Sequence, residues 1–236
     1  MNNPLDEYRV GGYFLVRVAD REECMASELL PESFITVSPC LTDIFPESWT
    51  ISEGLSMEEA NGFDLPRHSL SNVKHEIASH FQNRYLGWPN VCYSTTIARQ
   101  LVERFLKHMG QQEMALIGVA LHQAYLPEFL HVEAPGEGDS PQGVYDAIAY
   151  GMQMEAGGTV LGYDVLGLDD NGSFHSWLCN GLEDEIHEQF GIRPNGNGLL
   201  NSIEEAMQCA LYASSDDVDA EPVLWQPWLI VSYPIA

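Results

Sequence analysis

The sequence predicts an α+β fold, in which amphipathic helices pack on a single mixed or mainly antiparallel sheet. Three observations predict it. Strand and helix patterns alternate irregularly along the chain, the stretch 158–191 carries a strand–turn–strand signal, and no repeat organises the elements. A doubly wound α/β fold is the alternative, because it also combines strands with helices. With 236 residues and 45% hydrophobic content, the chain is expected to form one compact domain over residues 1–236.

The hairpin within 158–191 is the clearest local signal. Two runs of strand length, 159–168 and 173–179, flank an Asp-Asp-Asn-Gly sequence, whose last two residues suit a two-residue type I′ turn. Large apolar side chains on both faces of the second run favour a central place in the sheet. On such a strand His175 and Cys179 would lie about 13 Å apart, since each residue advances the chain by roughly 3.3 Å. This spacing excludes a thiolate–imidazole pair and predicts a buried thiol beside a core histidine.

A short acidic helix is expected directly after the hairpin. Asn180 is a good N-cap, and Leu182, Ile186 and Phe190 recur at spacing four as a narrow apolar stripe. Gly191 is placed to end the helix in a left-handed conformation. The remaining positions are almost wholly acidic, so the outward face of this helix is predicted to be negatively charged.

The elements before the hairpin follow from apolar runs and helical spacing. The predicted strands are 13–18, 33–38, 114–122 and 125–132, and the predicted helices are 22–30, 69–85, 94–109 and 144–154. The connection 39–62 is long for a compact domain, which indicates that it is functional or contains further structure. The run 134–143 is dense in turn formers and is expected to be an exposed loop.

The carboxyl-terminal part is expected to add one helix and one strand. Ser202 and Glu205 match a capping box, which predicts a helix that starts there. The last strand, 223–233, contains Pro227, so it is expected either to lie at an edge or to begin at Trp228. Trp225 and Trp228 are predicted to belong to the core.

Local motifs predict no metal, no cofactor and no catalytic residue. The five cysteines are never in CxxC spacing, which argues against a disulfide frame or a structural zinc site. His75 and His80 are five residues apart, whereas the zinc-protease motif needs four. The run 169–173 begins like a calcium loop, but Phe174 stands at the position of the required glycine.

Charge is the strongest compositional signal. The chain has 10 basic and 35 acidic residues, and residues 108–236 hold 20 of the acidic ones against one basic residue, Arg193. Such a field repels nucleic acid and anionic membranes and attracts a basic protein. An acidic surface can also serve only to keep a protein soluble, or to adapt it to high salt. No run of the sequence is apolar and long enough to span a membrane, and the stretch MNNPLDEYRV lacks the basic-then-apolar profile of a signal peptide. Because the scattered thiols also suit a reducing compartment, a cytoplasmic location is expected.

The charge predicts an acidic binding protein that neutralises a basic protein partner such as a toxin. In composition alone it resembles bacterial immunity proteins and nuclease inhibitors, which mask a basic active site. The expected contact residues are Asp169, Asp170, Glu183, Asp184, Glu185 and Glu188. The alternative is an enzyme of unknown type with thiol or carboxylate chemistry, in which Cys40 or Cys179 would act with a histidine.

Overall fold

The architecture is a strongly curled antiparallel sheet of seven strands with helices packed on it, which confirms the predicted α+β fold. The computed structural model describes residues 4–45, 67–106, 113–134 and 143–235. Most of the predicted connection 39–62 and of the loop 134–143 lies outside these residues.

All strand pairs in the described residues are antiparallel. The strands are β1 (Tyr8–Arg17), β2 (Ala19–Asp20), β3 (Ser33–Phe34), β4 (Leu86–Gly87), β5 (Val91–Cys92), β6 (Met114–His122), β7 (Thr159–Leu168), β8 (Phe174–Ser176) and β9 (Gln226–Tyr233). The large sheet has the order β4-β5-β1-β6-β9-β7-β8, and β2 pairs with β3 apart from it. The centre of the large sheet is therefore β6, between β1 and β9.

Six α-helices are present in the described ranges. They are α1 (Arg67–Gln82), α2 (Thr95–Phe105), α3 (Leu126–Val132), α4 (Gly143–Ala149), α5 (Glu183–Phe190) and α6 (Ile203–Ala213). Short 3₁₀ turns cover Pro4–Glu7 and Trp177–Asn180. The hydroxyl of Ser202 accepts a hydrogen bond from the backbone N–H of Glu205, which confirms the predicted cap of α6.

The core lies on both faces of the central strands. On one face Leu116 of β6 packs in the same cluster as Leu101 and Phe105 of α2. On the other face Ile117 packs with Phe129 of α3 and with neighbouring side chains of α4. Because both faces of β6 are covered, its sequence is an uninterrupted apolar run instead of an alternating one. A third cluster joins α5, α6 and the 3₁₀ turn Trp177–Asn180 beneath the β7–β8 end of the sheet.

Three predictions for the first part of the chain are wrong. Residues 22–30 form turns instead of a helix, because the side chain of Asp20 accepts hydrogen bonds from the backbone of Glu22 and Glu23 and competes with helical bonding. The strand predicted at 33–38 is only the two residues of β3. Residues 126–132 form α3 and do not extend the sheet, since a proline is tolerated in the first helical turn.

The positions of β8 and β9 also differ from the predictions. β8 is an edge strand of three residues, whereas the sequence predicts a longer central strand, 173–179. β9 lies between β6 and β7, so it is not an edge strand. β9 tolerates Pro227 because its pairing with β6 begins only at Trp228. The proline therefore lies outside the hydrogen-bonded ladder between β6 and β9. Trp225 and Trp228 are 4% and 1% exposed, which confirms that both belong to the core.

Candidate functional site

The candidate site lies at the end of the β7–β8 hairpin. The side chain of Asp169 accepts hydrogen bonds from the backbone N–H groups of Asn171 and Ser173, at 2.8 and 2.9 Å, and thereby holds the turn. Gly172 takes a positive φ of 80° but Asn171 does not. The predicted two-residue type I′ turn, which requires positive φ at both positions, is therefore wrong.

The chain reverses directly after β8. Ser176 caps the 3₁₀ turn Trp177–Asn180, and its backbone N–H lies 3.4 Å from the sulfur of Cys179. The turn carries Cys179 back toward the strand. The sulfur of Cys179 therefore lies within 4.8 Å of a ring nitrogen of His175. The separation of about 13 Å expected for an extended strand is wrong, because the strand ends at Ser176.

A third side chain, Cys40, completes a compact group of potential ligands. Its sulfur lies 3.8 Å from Nδ1 of His175, and one donor atom from each of Cys40, His175 and Cys179 lies within 4.8 Å of the other two. Cys40 is exposed, whereas His175 and Cys179 are partly buried. The sulfur of Cys179 also lies 2.9 Å from the hydroxyl of Ser38, two residues before Cys40. We refer to Cys40, His175 and Cys179 as the thiol–imidazole cluster.

Two carboxylates flank the imidazole of His175. Asp169 Oδ2 lies 3.6 Å from Nε2, and Glu221 Oε1 lies 3.4 Å from Nδ1. The second oxygen of Glu221, Oε2, is buried and has no hydrogen-bond partner among the described residues. His175 is therefore oriented from both sides, with Cys40 and Glu221 near one ring nitrogen and Asp169 near the other.

An acidic cavity opens beside this cluster. Its volume is about 780 Å³, and the carboxylates of Glu133, Asp169, Asp170 and Glu221 line it together with His175. No lysine or arginine is among the described residues that line it. Burial, followed by the charges of Asp170 and Asp169, raises the pKa of Glu133 to about 7. Negative charge is therefore concentrated in this cavity, and a cation would be stabilised there.

A buried carboxyl group lies behind the cluster. Asp164 of β7 is 1% exposed, and its Oδ1 accepts hydrogen bonds from the hydroxyl of Ser176 and the backbone N–H of Val165, at 2.9 and 2.8 Å. Burial raises the pKa of Asp164 to about 7, although these two hydrogen bonds oppose the rise. Since Ser176 contacts both Asp164 and Cys179, it connects the buried acid to the cluster.

The structure separates the six predicted contact residues. Asp169 and Asp170 line the acidic cavity. Glu183, at the start of α5, is 1% exposed, and burial raises the pKa of its carboxyl. Its place in an exposed contact cluster is therefore wrong. The apolar side of α5 explains this burial, because Leu182 and Ile186 draw that end of the helix into the third core cluster.

The other three acidic residues lie on the exposed side of α5. Asp184 accepts a hydrogen bond from the hydroxyl of Ser27 at 2.7 Å, and Glu185 accepts one from the hydroxyl of Tyr212 at 2.8 Å. Glu188 is exposed. These three residues form a second acidic surface, which we call the α5 face.

The start of α5 also differs from the prediction. Leu182 occupies the N-cap position, whereas Asn180 ends the 3₁₀ turn. Gly191 ends the helix with a φ of 72°, as its position in the sequence predicts.

Local spacing could not identify several residues of the site. Glu133 follows α3, Glu221 precedes β9 and Cys40 lies 135 positions before His175. No short motif joins residues so far apart. Chain folding brings them together, because α3, the β7–β8 turn and the segment before β9 all reach the same cavity.

Two further findings bear on the setting of the site. Among the helices that the structure describes, none combines the length and the apolar character needed to cross a membrane. Comparisons with protein-family models, curated proteins and solved structures found no match to the chain.

Proposed function

We propose that the protein is an acidic cytoplasmic binding protein of inhibitor or immunity type, which neutralises a basic protein partner. The observation that carries the proposal is the acidic cavity. Four carboxylates, those of Glu133, Asp169, Asp170 and Glu221, line a volume of about 780 Å³ that is otherwise partly apolar. A cavity of this kind suits one anchor side chain from the partner, with the charge at its tip and a hydrocarbon stem.

Arginine fits this cavity best. Its planar guanidinium donates several hydrogen bonds in a fixed fork, so it can contact two carboxylates at once, whereas the ammonium of lysine is a more strongly hydrated point charge. Asp170 is exposed at the mouth and Glu133 is partly buried, so a long side chain could meet both. Val132 and Leu168 offer apolar contacts to its stem.

The whole-chain charge supports the same class of partner. A formal net charge of −25 attracts a basic protein over a distance and accelerates its encounter. The same field opposes nucleic acid and anionic membranes, because both need cationic groups on the protein. The α5 face adds charge on a helix whose apolar side packs in the same core cluster as Val165 of β7. The proposal therefore assigns anchoring to the cavity and steering to the exposed acidic surfaces.

Neutralising the cavity is expected to speed dissociation of the partner. The double substitution Glu133→Gln with Asp170→Asn removes carboxylates that an arginine in the cavity would contact, so it should raise the dissociation rate constant by about tenfold or more. The partner is first isolated as a basic protein that binds the immobilised chain at low salt, and is then purified. Surface plasmon resonance with the two purified proteins gives the rates.

A matched variant controls for the loss of charge alone. Glu103→Gln with Glu113→Gln removes two exposed carboxylates, on α2 and before β6, and should leave the dissociation rate constant nearly unchanged. Asp184→Asn with Glu188→Gln tests the α5 face, and should lower the association rate constant at low salt without changing dissociation. If the partner dissociates equally fast from the cavity variant and from the control, the cavity is not the anchor. If no basic protein binds in a salt-dependent manner, the proposed function fails.

Binding is also expected to depend on pH through Glu133. In the free protein its pKa is about 7, and a cation in the cavity would lower it. Below pH 7 the free carboxyl is protonated and must lose its proton on binding, so affinity should rise by about tenfold between pH 6 and pH 8. The other titratable groups in the cavity are Asp169, Asp170, His175 and Glu221. Calorimetry in two buffers of different ionisation enthalpy measures the number of protons released on binding. Glu133→Gln should abolish the part of this release that comes from Glu133.

A second candidate function is thiol chemistry, and one observation favours it. Cys40 Sγ lies 3.8 Å from Nδ1 of His175, and Asp169 lies 3.6 Å from the other ring nitrogen. This is the order of nucleophile, base and orienting carboxylate found in cysteine hydrolases. The surrounding carboxylates oppose it, because they would destabilise the oxyanion that forms in acyl transfer.

Thiol reactivity separates the second candidate from the first. If Cys40 acts as an activated nucleophile, iodoacetamide should modify it much faster than it modifies Cys24, and His175→Gln should remove the difference. Equal reactivity of the two thiols in the metal-free protein would eliminate the enzyme candidate. The binding proposal makes no demand on either rate.

A further inference from the structure

We infer that the thiol–imidazole cluster is a binding site for one zinc ion, with Cys40, His175 and Cys179 as ligands and a water molecule at the fourth position. The inference goes beyond the proposed function, because zinc binding requires no protein partner. It starts from the donor set. Two thiols and an imidazole are ligand types that zinc prefers, whereas calcium and magnesium prefer oxygen donors alone.

The distances match a tetrahedral zinc site. With a Zn–S bond of about 2.3 Å and a Zn–N bond of about 2.0 Å, tetrahedral geometry places the sulfur and nitrogen atoms roughly 3.6 Å apart. The sulfur of Cys40 lies 3.8 Å from Nδ1 of His175. Cys179 lies within 4.8 Å of both of the other cluster residues.

The neighbours of the cluster match the outer contacts of a zinc site. A histidine that binds zinc usually directs its other ring nitrogen to a carboxylate, and Asp169 lies 3.6 Å from Nε2 of His175. Two groups are placed to donate hydrogen bonds to a thiolate at Cys179, namely the hydroxyl of Ser38 at 2.9 Å and the backbone N–H of Ser176 at 3.4 Å. These contacts orient the ligands before the ion arrives.

The charge of the surroundings also favours a cation over a nucleophilic thiolate. Asp169 and Glu221 lie beside the imidazole, and no lysine or arginine is among the described residues that line the cavity. Such a field stabilises a divalent ion and disfavours the anions of acyl transfer. Metal binding therefore accounts for both cysteines, whereas the nucleophile interpretation leaves Cys179 without a role.

Zinc would join two separate parts of the chain. Cys40 lies in the segment after β3, whereas His175 and Cys179 lie on β8 and the turn after it. On binding, the sulfur atoms of Cys40 and Cys179 exchange their protons for bonds to zinc, with release of one proton for each thiol that is protonated beforehand. The ion would stabilise the edge of the sheet that carries the acidic cavity.

Cobalt substitution tests this inference on the full chain. The protein is kept reduced with a phosphine, stripped with a chelator and titrated with Co²⁺, and then with Zn²⁺. We expect one ion per chain, a thiolate-to-cobalt charge-transfer band, the intense visible bands of tetrahedral cobalt, and loss of both when zinc displaces cobalt. Cobalt binding without a charge-transfer band would overturn the site.

Single substitutions identify the ligands. Cys40→Ser, Cys179→Ser and His175→Gln should each weaken binding of Zn²⁺ by at least about 100-fold, and Asp169→Asn by about 10- to 100-fold. Cys24→Ser is the matched control, because Cys24 is a partly buried thiol outside the cluster and should leave affinity unchanged. Unchanged affinity in both Cys40→Ser and Cys179→Ser would overturn the inference.

Alkylation of the unmodified protein gives an independent answer if a variant does not fold. Stoichiometric Zn²⁺ should slow the reaction of Cys40 with iodoacetamide by more than about tenfold, because a thiolate bound to zinc is less available as a nucleophile. The reaction of Cys24 should be unaffected. Mass spectrometry of peptides measures both rates. If zinc protects neither Cys40 nor Cys179 from alkylation, or if Cys40 and Cys179 form a disulfide under reducing conditions, the site is not a zinc site. Because no partner is present, these results do not depend on the proposed binding function.

Discussion

The substitution Asp164→Asn is expected to remove a large part of the loss of stability that we expect between acidic and neutral pH. Folded Asp164 keeps its proton up to a pKa of about 7, whereas its ordinary value is 3.8. The folded state therefore binds more protons than the unfolded state between these values, and stability falls as pH rises through the interval. The contribution of Asp164 to the free energy of unfolding is fully present below pH 3.8 and is lost above about pH 7. The difference is roughly 4 kcal/mol.

The structure explains why asparagine is a suitable replacement. Asp164 Oδ1 already accepts two hydrogen bonds, from Ser176 and Val165, while Oδ2 is buried without a partner among the described residues. The neutral acid therefore carries its proton on Oδ2, and an amide preserves the accepting oxygen without a charge. Urea unfolding at pH 5, 6, 7 and 8 measures the effect.

Glu133, another acid with a raised pKa, provides the control for this experiment. Burial and two neighbouring aspartates raise the pKa of Glu133 to about 7, so its contribution to stability has the same sign. Glu133→Gln should remove a smaller part of the pH dependence, because Glu133 is less buried than Asp164. A pH dependence that is identical in the unmodified protein and in Asp164→Asn would show that Asp164 is ionised when buried.

The long strands are the part of the fold that the sequence predicts best. The bounds predicted for β6 and β7 are those observed, because each strand is a local run of apolar residues between turn signals. Helix α6 is predicted as well, since its cap involves only Ser202 and Glu205. These signals depend on near neighbours in the chain and are therefore visible in the sequence.

Sheet order and site geometry depend on distant residues and are not visible in the same way. β9 lies between β6 and β7 because its backbone pairs with both, and no local pattern specifies those partners. The reversal after Ser176 changes the distance between His175 and Cys179, and it results from a 3₁₀ turn within an apolar run that also suits a strand. Two of the expected contact residues, Asp169 and Asp170, do line the cavity, but Glu133 and Glu221 come from elsewhere in the chain.

The largest loss of stability is expected for Trp228→Ala. The indole is 1% exposed in the middle of the sheet and meets Phe129 and Phe174 edge to face, with ring centroids 5.5 and 5.1 Å away. Truncation removes these contacts and leaves a cavity that rigid strands cannot close, so the free energy of unfolding should fall by about 3–5 kcal/mol. Leu211→Ala, at a side chain that is 68% exposed, is the control and should change it by less than about 0.5 kcal/mol.

The effect of Trp228→Ala should extend to the candidate site. Phe174 is the first of the three residues of β8, and it packs on the indole while the next residue, His175, points to the cavity. Without the indole, Phe174 keeps its contact with Phe14 but loses the nearer of these two aromatic neighbours, so backbone amides of β8 should exchange faster than those of β6. Trp228→Phe keeps an aromatic contact and should give an intermediate loss of stability with less exchange. Equal acceleration in β6 and β8 would show that the indole stabilises the sheet as a whole instead of its site-bearing edge.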